Sequence, residues 1–201
     1  MSRRLSIGVG IGLVLLAGYF GRNRGGQGLT PTIGSLVASW NWTRFHQSVG
    51  RGDWQEAYVF AEEALAWDRR SPRGWITLAD HWTFTRASSN VEPDPERRVA
   101  AIVRGLRVLE AGANAGADPG ALHLAAGQVL AFWVTELVGQ EEDPLPWPGG
   151  AEAAWREGIE QLRMARDLGQ PAAANQLQWA HDLGHRLGWT QETHEPGEDA
   201  H

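Results

Sequence analysis

The 201-residue sequence contains no cysteine and no lysine. The lack of cysteine excludes disulfides, a thiolate nucleophile, cysteine-ligated zinc, iron–sulfur clusters and an acylated lipoprotein anchor. All 18 basic residues are arginine, and no acidic residue precedes Asp53. Residues 25–201 hold 14 arginines and 24 acidic residues, a net charge of −10. Because nucleic-acid binding needs clustered positive charge, we expect no nucleic-acid partner.

Residues 5–20 form an uncharged, apolar run of 16 residues with arginines on both sides. As a helix this run is about 24 Å long, short against a hydrocarbon core of about 30 Å. Flanking arginines that snorkel, together with local bilayer thinning, allow it to span. After a short tail at residues 1–4, we therefore expect a single transmembrane signal anchor at residues 5–21. A cleaved signal peptide is the alternative, although small residues are missing at the positions that cleavage requires.

The orientation of this anchor depends on its short, positively charged N-terminal tail. Arg3, Arg4 and the terminal amine are hard to translocate, so we expect the acidic body on the periplasmic face of a bacterial inner membrane. Gly8 and Gly12 form a small-residue pair that permits close helix–helix packing. The alternative is that a glycine-rich anchor needs no partner helix.

Composition divides the rest of the chain into a linker, a body and a tail. Residues 22–34 are rich in glycine and predict a flexible linker. Residues 190–201 are acidic and polar, without an apolar face, and predict a disordered tail. Between residues 35 and 189 no stretch alternates with the period of a strand, whereas Ala and Leu recur at helical spacing. This pattern predicts one all-α body.

Two stretches of the body carry a repeat signal. After the Gly52-Asp53 turn, three alanines lie on one helix face at i, i+4 and i+7: Ala57, Ala61 and Ala64. The acidic Asp68 ends this stretch. A Trp-x-x-Leu-Ala sequence follows, formed by Trp75, Leu78 and Ala79. The pattern resembles the tetratricopeptide repeat family, with 34-residue units that begin at Ala38 and Pro72. Phe45 and Arg69 depart from the family pattern, and insertions follow at Ala87–Pro95 and Gln140–Gly150.

The resemblance implies a tetratricopeptide-like α-α superhelix of about three helix pairs with one closing helix. It also implies a concave groove that binds a protein partner. The groove positions would be held by Trp42 and His46 in the first unit, and by Arg73, Asp80 and Thr83 in the second.

Three further side chains are candidates outside the groove. Trp147 lies in a proline-rich loop, where it is either a partner-docking element or a lid on its own core. His181 and His185 are spaced i, i+4 and share a helix face, as zinc ligands can, but they lack a third ligand. We regard this pair as solvated, and as only a weak metal candidate.

No nucleophile elbow, phosphate loop or dinucleotide fingerprint is present, so we expect neither an enzyme nor a cofactor. The sequence favours a membrane-anchored helical-repeat scaffold that binds another protein in or near a membrane complex. One alternative is a permanent accessory subunit of a larger membrane assembly. Another is a small-ligand or metal module built on His181 and His185.

Overall fold

The structure, a computed structural model, describes residues 29–140 and 143–189. The predicted tails, the anchor at residues 5–21 and its Gly8 and Gly12 lie outside this part. The secondary structure of the described residues is helix with connecting turns and loops and no strand, so the predicted all-α class is confirmed. They form seven helical segments: α1 (Leu29–Arg51), α2 (Trp54–Trp67), α3 (Pro72–Asp80) continued by the π-helical π1 (His81–Arg86), α4 (Pro95–Asn114), α5 (Pro119–Gln128) continued by π2 (Val129–Val134) and α6 (Thr135–Val138), α7 (Gly150–Asp167) and α8 (Ala173–Arg186).

The chain divides after Asp68 into two compact units, where the sequence predicts one body over residues 35–189. The division lies between α2 and α3, just before Pro72, at which the second repeat unit is predicted to begin. The residues that join these helices, from Asp68 to Ser71, include the exposed Arg69 and Arg70. A short, charged connection has no apolar side chain with which to extend a core.

The first unit is the hairpin of α1 and α2. Gly52 has a φ of +75° in the turn, a conformation that favours glycine. Asp53 then caps α2 by accepting a hydrogen bond from the Glu56 amide at 3.1 Å. The three predicted interface alanines, Ala57, Ala61 and Ala64, are completely buried. The small-residue face predicted from the repeat pattern is therefore confirmed as buried.

The linker prediction is wrong at its C-terminal end, because α1 begins at Leu29 and residues 29–34 are helical. Pro31 is the third residue of this helix. A proline is tolerated there because the first amides of a helix have no intrahelical acceptor. Gly34 is already buried, and a Cβ added to it would lie 3.1 Å from the Trp67 carbonyl oxygen.

The helices of the second unit begin at signals visible in the sequence. Asp94 accepts hydrogen bonds from the amides of Glu96 and Arg97, and Pro95 is the first residue of α4. Asp118 and Pro119 repeat the arrangement at the start of α5. An aspartate cap followed by proline suits a helix start, since the cap satisfies free amides and the proline has none to satisfy.

The segment from Pro119 to Val138 supplies buried residues to all three hydrophobic clusters of the second unit. These residues are Leu122, Ala126, Val129, Leu130, Ala131, Val134 and Leu137. Among the described residues, it is the one helix long and apolar enough to cross a membrane, with a mean hydropathy of 1.4. Half of it is buried inside the protein. Its place in the core accounts for its hydrophobicity.

Two glycines allow close helix packing, Gly158 on the backbone of a neighbouring helix and Gly184 on an aromatic ring. A Cβ on Gly158 of α7 would lie 2.7 Å from the Ala131 Cα in π2 and would also clash with the Ala131 nitrogen. A Cβ on Gly184 of α8 would lie 2.8 Å from the Trp155 ring. Backbone cannot yield as a flexible side chain can, so the contact at Gly158 requires glycine.

We predict that Gly158→Ala destabilises the protein by roughly 1–3 kcal/mol, because the added methyl forces α7 away from π2. The matched control is Gly50→Ala. Gly50 is helical and exposed, with no atom within 4 Å of its added Cβ. The control should be neutral or stabilising by up to about 1 kcal/mol. Denaturant unfolding of the full chain measures both variants, and equal midpoints would contradict the packing at Gly158.

Candidate functional site

The predicted groove residues of the first unit are partly accessible. Trp42 is half-buried and packs edge-on against Phe45, with ring centroids 5.3 Å apart. His46 is exposed and contacts the same ring at 5.1 Å. Both side chains therefore lie beside the buried Phe45, and His46 presents the more open surface.

The predicted groove residues of the second unit differ in accessibility. Arg73 and Asp80 are exposed. Thr83 is 2% exposed, and its hydroxyl lies against Gly105 of α4. The prediction that Thr83 contacts a partner is therefore wrong. Thr83 lies in π1, and because a π turn holds more residues than an α turn, it alters the face that each following side chain occupies.

The Asp80 carboxyl stands at the junction of α3 and π1. Although Asp80 as a whole is exposed, the protein atoms around its carboxyl exclude part of the surrounding water, which disfavours the charged form and raises its pKa above the ordinary value for aspartate. The folded state therefore binds the proton more strongly than the unfolded state. Its contribution to stability is favourable below the unfolded pKa and is lost as the pH rises through the folded pKa.

Trp147 is half-buried and packs against the hydrophobic cluster that contains Leu130 and Leu145. Its backbone amide donates to the Leu145 carbonyl at 2.8 Å, and the amide of the buried Leu145 donates to the Leu137 carbonyl at 3.1 Å. Of the two interpretations left open by the sequence, this packing favours a lid on the core. The proline-rich loop is held down by apolar burial instead of standing clear of the protein.

A buried arginine holds the same loop from its other end. Arg98 of α4 is 3% exposed, and its Nε donates to the Ala87 carbonyl at 3.1 Å. Its guanidinium also forms an ion pair with the half-buried Asp143. One side chain thus joins both insertion segments predicted from the repeat pattern.

His181 and His185 do not gain a third ligand in the structure. His181 is half-buried and packs edge-on against the Trp155 ring at 6.5 Å, while His185 is exposed. Within residues 29–140 and 143–189, no three His, Asp or Glu side chains come together as a metal site would require. The pair remains a candidate by spacing alone.

An apolar groove of about 510 Å³ lies beside α8, and we call it the C-terminal groove. Its lining comes from π2, α6, α7, α8 and the residues that follow α8: Phe132, Thr135, Glu136, Gly139, Ala151, Trp179, Leu183, Arg186, Leu187 and Trp189. Trp179 is 59% exposed. Trp179 is exposed because Leu177 and Ala180 occupy the buried face of α8.

A second concavity of about 560 Å³ lies between α4 and α7, and we call it the α4–α7 cleft. Its apolar lining comes from α4, α5 and π2: Val103, Leu106, Leu109, Ala113, Leu122, Ala126 and Leu130. Trp147 adds an aromatic ring from the loop. The polar lining is Arg107, Glu110, Asn114, His123, Glu157 and Gln161.

Sequence patterns identify neither concavity. Trp147 is the one lining residue that the sequence singles out, through the flanking prolines. The remaining lining residues are ordinary helical positions, which only the packing of distant helices brings together.

No known protein family model matches the chain, and comparisons with the curated proteins and with the solved structures also find no match. The resemblance to tetratricopeptide repeats therefore rests on the residues quoted for it.

We predict that Asp80→Asn removes an unfavourable charge, so that the variant gains stability relative to the wild type as the pH rises from 4 to 7. Denaturant midpoints of both proteins across this range measure the difference. A difference that shrinks or stays constant with rising pH would contradict the raised pKa of Asp80.

We predict that Arg98→Ala destabilises the protein by roughly 2–4 kcal/mol, since it leaves the Ala87 carbonyl and Asp143 without their partner. Asp143→Asn keeps a hydrogen-bond acceptor and should cost about 1 kcal/mol. Combining both substitutions should cost less than the sum of the two effects, because the second removes a partner that is already lost. Strict additivity in denaturant unfolding would show that the two residues do not interact.

Proposed function

We propose that this chain is a membrane-tethered helical scaffold that binds another protein through the C-terminal groove. The observation that carries the proposal is the exposure of Trp179 and Leu187 on a concave apolar surface. Exposed tryptophans in such pockets are typical anchors of protein interfaces. Groups of large apolar side chains exposed together mark interaction sites more often than isolated ones.

The shape and chemistry of the groove suit an amphipathic helix of a partner. Trp179, Leu183 and Leu187 recur at i, i+4 and i+8 along α8 and line one side of the groove, while Phe132 lines it from π2. Glu136 and Arg186 add one charge of each sign, and neither forms an ion pair with another described residue. An apolar helix face inserted here would find aromatic contacts flanked by charges that can fix its register.

Repeat packing in the second unit supports the scaffold proposal. The α4 helix packs against both α3 and α5, and α3 also contacts α5. Each helix pair thus stacks on the next, as in tetratricopeptide-like arrays, in which every repeat packs on its neighbours. We propose on this basis, and on the quoted residues, that the helix pairs follow a tetratricopeptide-like superhelix.

The membrane tether is part of the same proposal and rests on the apolar run at residues 5–20.

A permanent accessory subunit is the second candidate. The 59% exposure of Trp179 favours it, since a large indole left in water is better explained by an obligate interface. The two candidates differ in whether the partner exchanges. We assign the chain a binding role and no catalysis.

We predict that Trp179→Ala removes a bound protein from the full chain, because it deletes the central anchor of the groove. The measurement is quantitative mass spectrometry of proteins co-purified with the tagged full chain from native membranes. The matched control is Trp40→Ala, which removes an indole that is 65% exposed on α1 and does not line the groove. A partner lost with Trp179→Ala but kept with Trp40→Ala supports the proposal.

The same co-purified set from all three proteins would show that the groove does not bind the partner. Exchange of the partner during a chase with untagged protein distinguishes an adaptor from a permanent subunit.

Deletion of residues 1–21 should release the protein from membranes that retain the full chain after an alkaline carbonate wash. Retention of the deleted form would show that the tether lies elsewhere.

A further inference from the structure

The α4–α7 cleft carries polar side chains that the packing of the helices leaves without partners. Glu110 of α4 and Glu157 of α7 both line it. Neither carboxylate forms an ion pair within the described part of the chain, although exposed Glu152 and Glu160 on α7 pair with arginines of the same helix. Two unpaired carboxylates thus face a space of about 560 Å³, a size typical of small-ligand sites.

The hydrogen bond of His123 makes the cleft richer in acceptors. His123 Nδ1 lies 2.7 Å from Gln161 Oε1. An amide oxygen only accepts, so Nδ1 is the donor in this contact, and in the neutral tautomer that donates from Nδ1 the other ring nitrogen, Nε2, is an acceptor. Nε2 makes no hydrogen bond to another described residue. The acceptors in the cleft therefore include two carboxylates and an imidazole nitrogen, whereas Arg107 is the one charged donor among the lining residues.

The remaining walls suit an aliphatic or aromatic body. Leu106, Leu122 and Leu130 line the apolar part, and Trp147 contributes an aromatic ring from the loop. A cation within about 6 Å of an indole face is attracted by the ring, most strongly when it is partly desolvated. Carboxylates, an aromatic ring and apolar side chains in one cleft are what an organic cation requires.

We propose that the α4–α7 cleft binds an ammonium or guanidinium group carried on an aliphatic stem. The stem lies along the leucines and beside Trp147, while Glu110, Glu157 and His123 Nε2 accept hydrogen bonds from the charged end. The lining holds one arginine against two glutamates, so a ligand with one positive charge neutralises it. The same chemistry is offered by a free amine and by a lysine or arginine side chain of a peptide. This site is separate from the C-terminal groove and does not depend on the function proposed for it.

The test is an NMR titration of the full chain in nonionic detergent, observing the indole N–H signals. The Trp147 signal is identified by its loss in Trp147→Phe. Pentylammonium is the first probe, and hexanoate is its counterpart of similar length and opposite charge. We expect pentylammonium to shift the Trp147 signal saturably and hexanoate to leave it unchanged.

Substitutions then locate the charge that recognises the ligand. Glu157→Gln should weaken pentylammonium binding about 3-fold, the size expected for a solvent-accessible charge pair, and Glu110→Gln should have a similar effect. The matched control is Glu160→Gln on the same helix, because Glu160 is ion-paired with Arg163 and does not line the cleft. Binding by this control should equal that of the wild type.

A third probe distinguishes the source of the cation. This probe is a leucine–arginine–leucine tripeptide with an acetylated N-terminus and an amidated C-terminus. If it saturates the shift of the Trp147 signal at a lower concentration than pentylammonium does, the ligand is a basic side chain of a protein segment. Saturation by pentylammonium alone would identify a free amine. The inference is overturned if hexanoate binds in preference, if no probe saturates, or if Glu157→Gln and Glu110→Gln both bind pentylammonium as the wild type does.

Discussion

The buried guanidinium of Arg98 is the interaction on which much of the second unit depends. A charge that is 3% exposed is tolerated only with partners, and Arg98 finds them in the Ala87 carbonyl and in Asp143. These partners belong to the two segments that depart from the repeat pattern. The ion pair fixes the second of them, so Leu145 can enter the core and Trp147 can cover its edge. Without this ion pair, apolar contacts alone would have to offset the conformational entropy that the loop loses when it is ordered.

Small residues control how closely the helices approach. Gly158 rests on the backbone of π2, and Gly112 lies against the Trp75 ring. Where the helices pack this closely, small residues fill the interface between them, and several large side chains lie at the surface. Trp75, for example, covers Gly112 and donates its indole hydrogen to the Arg69 carbonyl at 2.8 Å. Trp179 has no such position available, because Leu177 and Ala180 already occupy the buried face of its helix.

The two concavities of the second unit lie beside a loop and beside the last described helix. The α4–α7 cleft includes Trp147 of the irregular loop, and the C-terminal groove lies where α8 has no following helix among the described residues. Their chemistry differs. The cleft adds two unpaired carboxylates to an apolar lining, whereas the C-terminal groove is mainly apolar and carries one charge of each sign. This difference is why we assign a cationic ligand to one and a protein helix to the other.

Local signals in the sequence determined where these helices begin, because a capping side chain accepts hydrogen bonds from amides only two or three residues further along the chain. Asp94 with Pro95 and Asp118 with Pro119 start α4 and α5, and the buried alanines of α2 follow from their i, i+4, i+7 spacing. Burial that depends on distant partners was decided only by the tertiary structure: Thr83 lies beneath Gly105, Trp179 is exposed, and Trp147 is a lid. No pattern within one helix records which neighbour covers it, because the covering residues lie tens of positions away in the chain. For the same reason the sequence did not predict the cleft, which is lined by Glu110 and Glu157 from helices that no local signal connects.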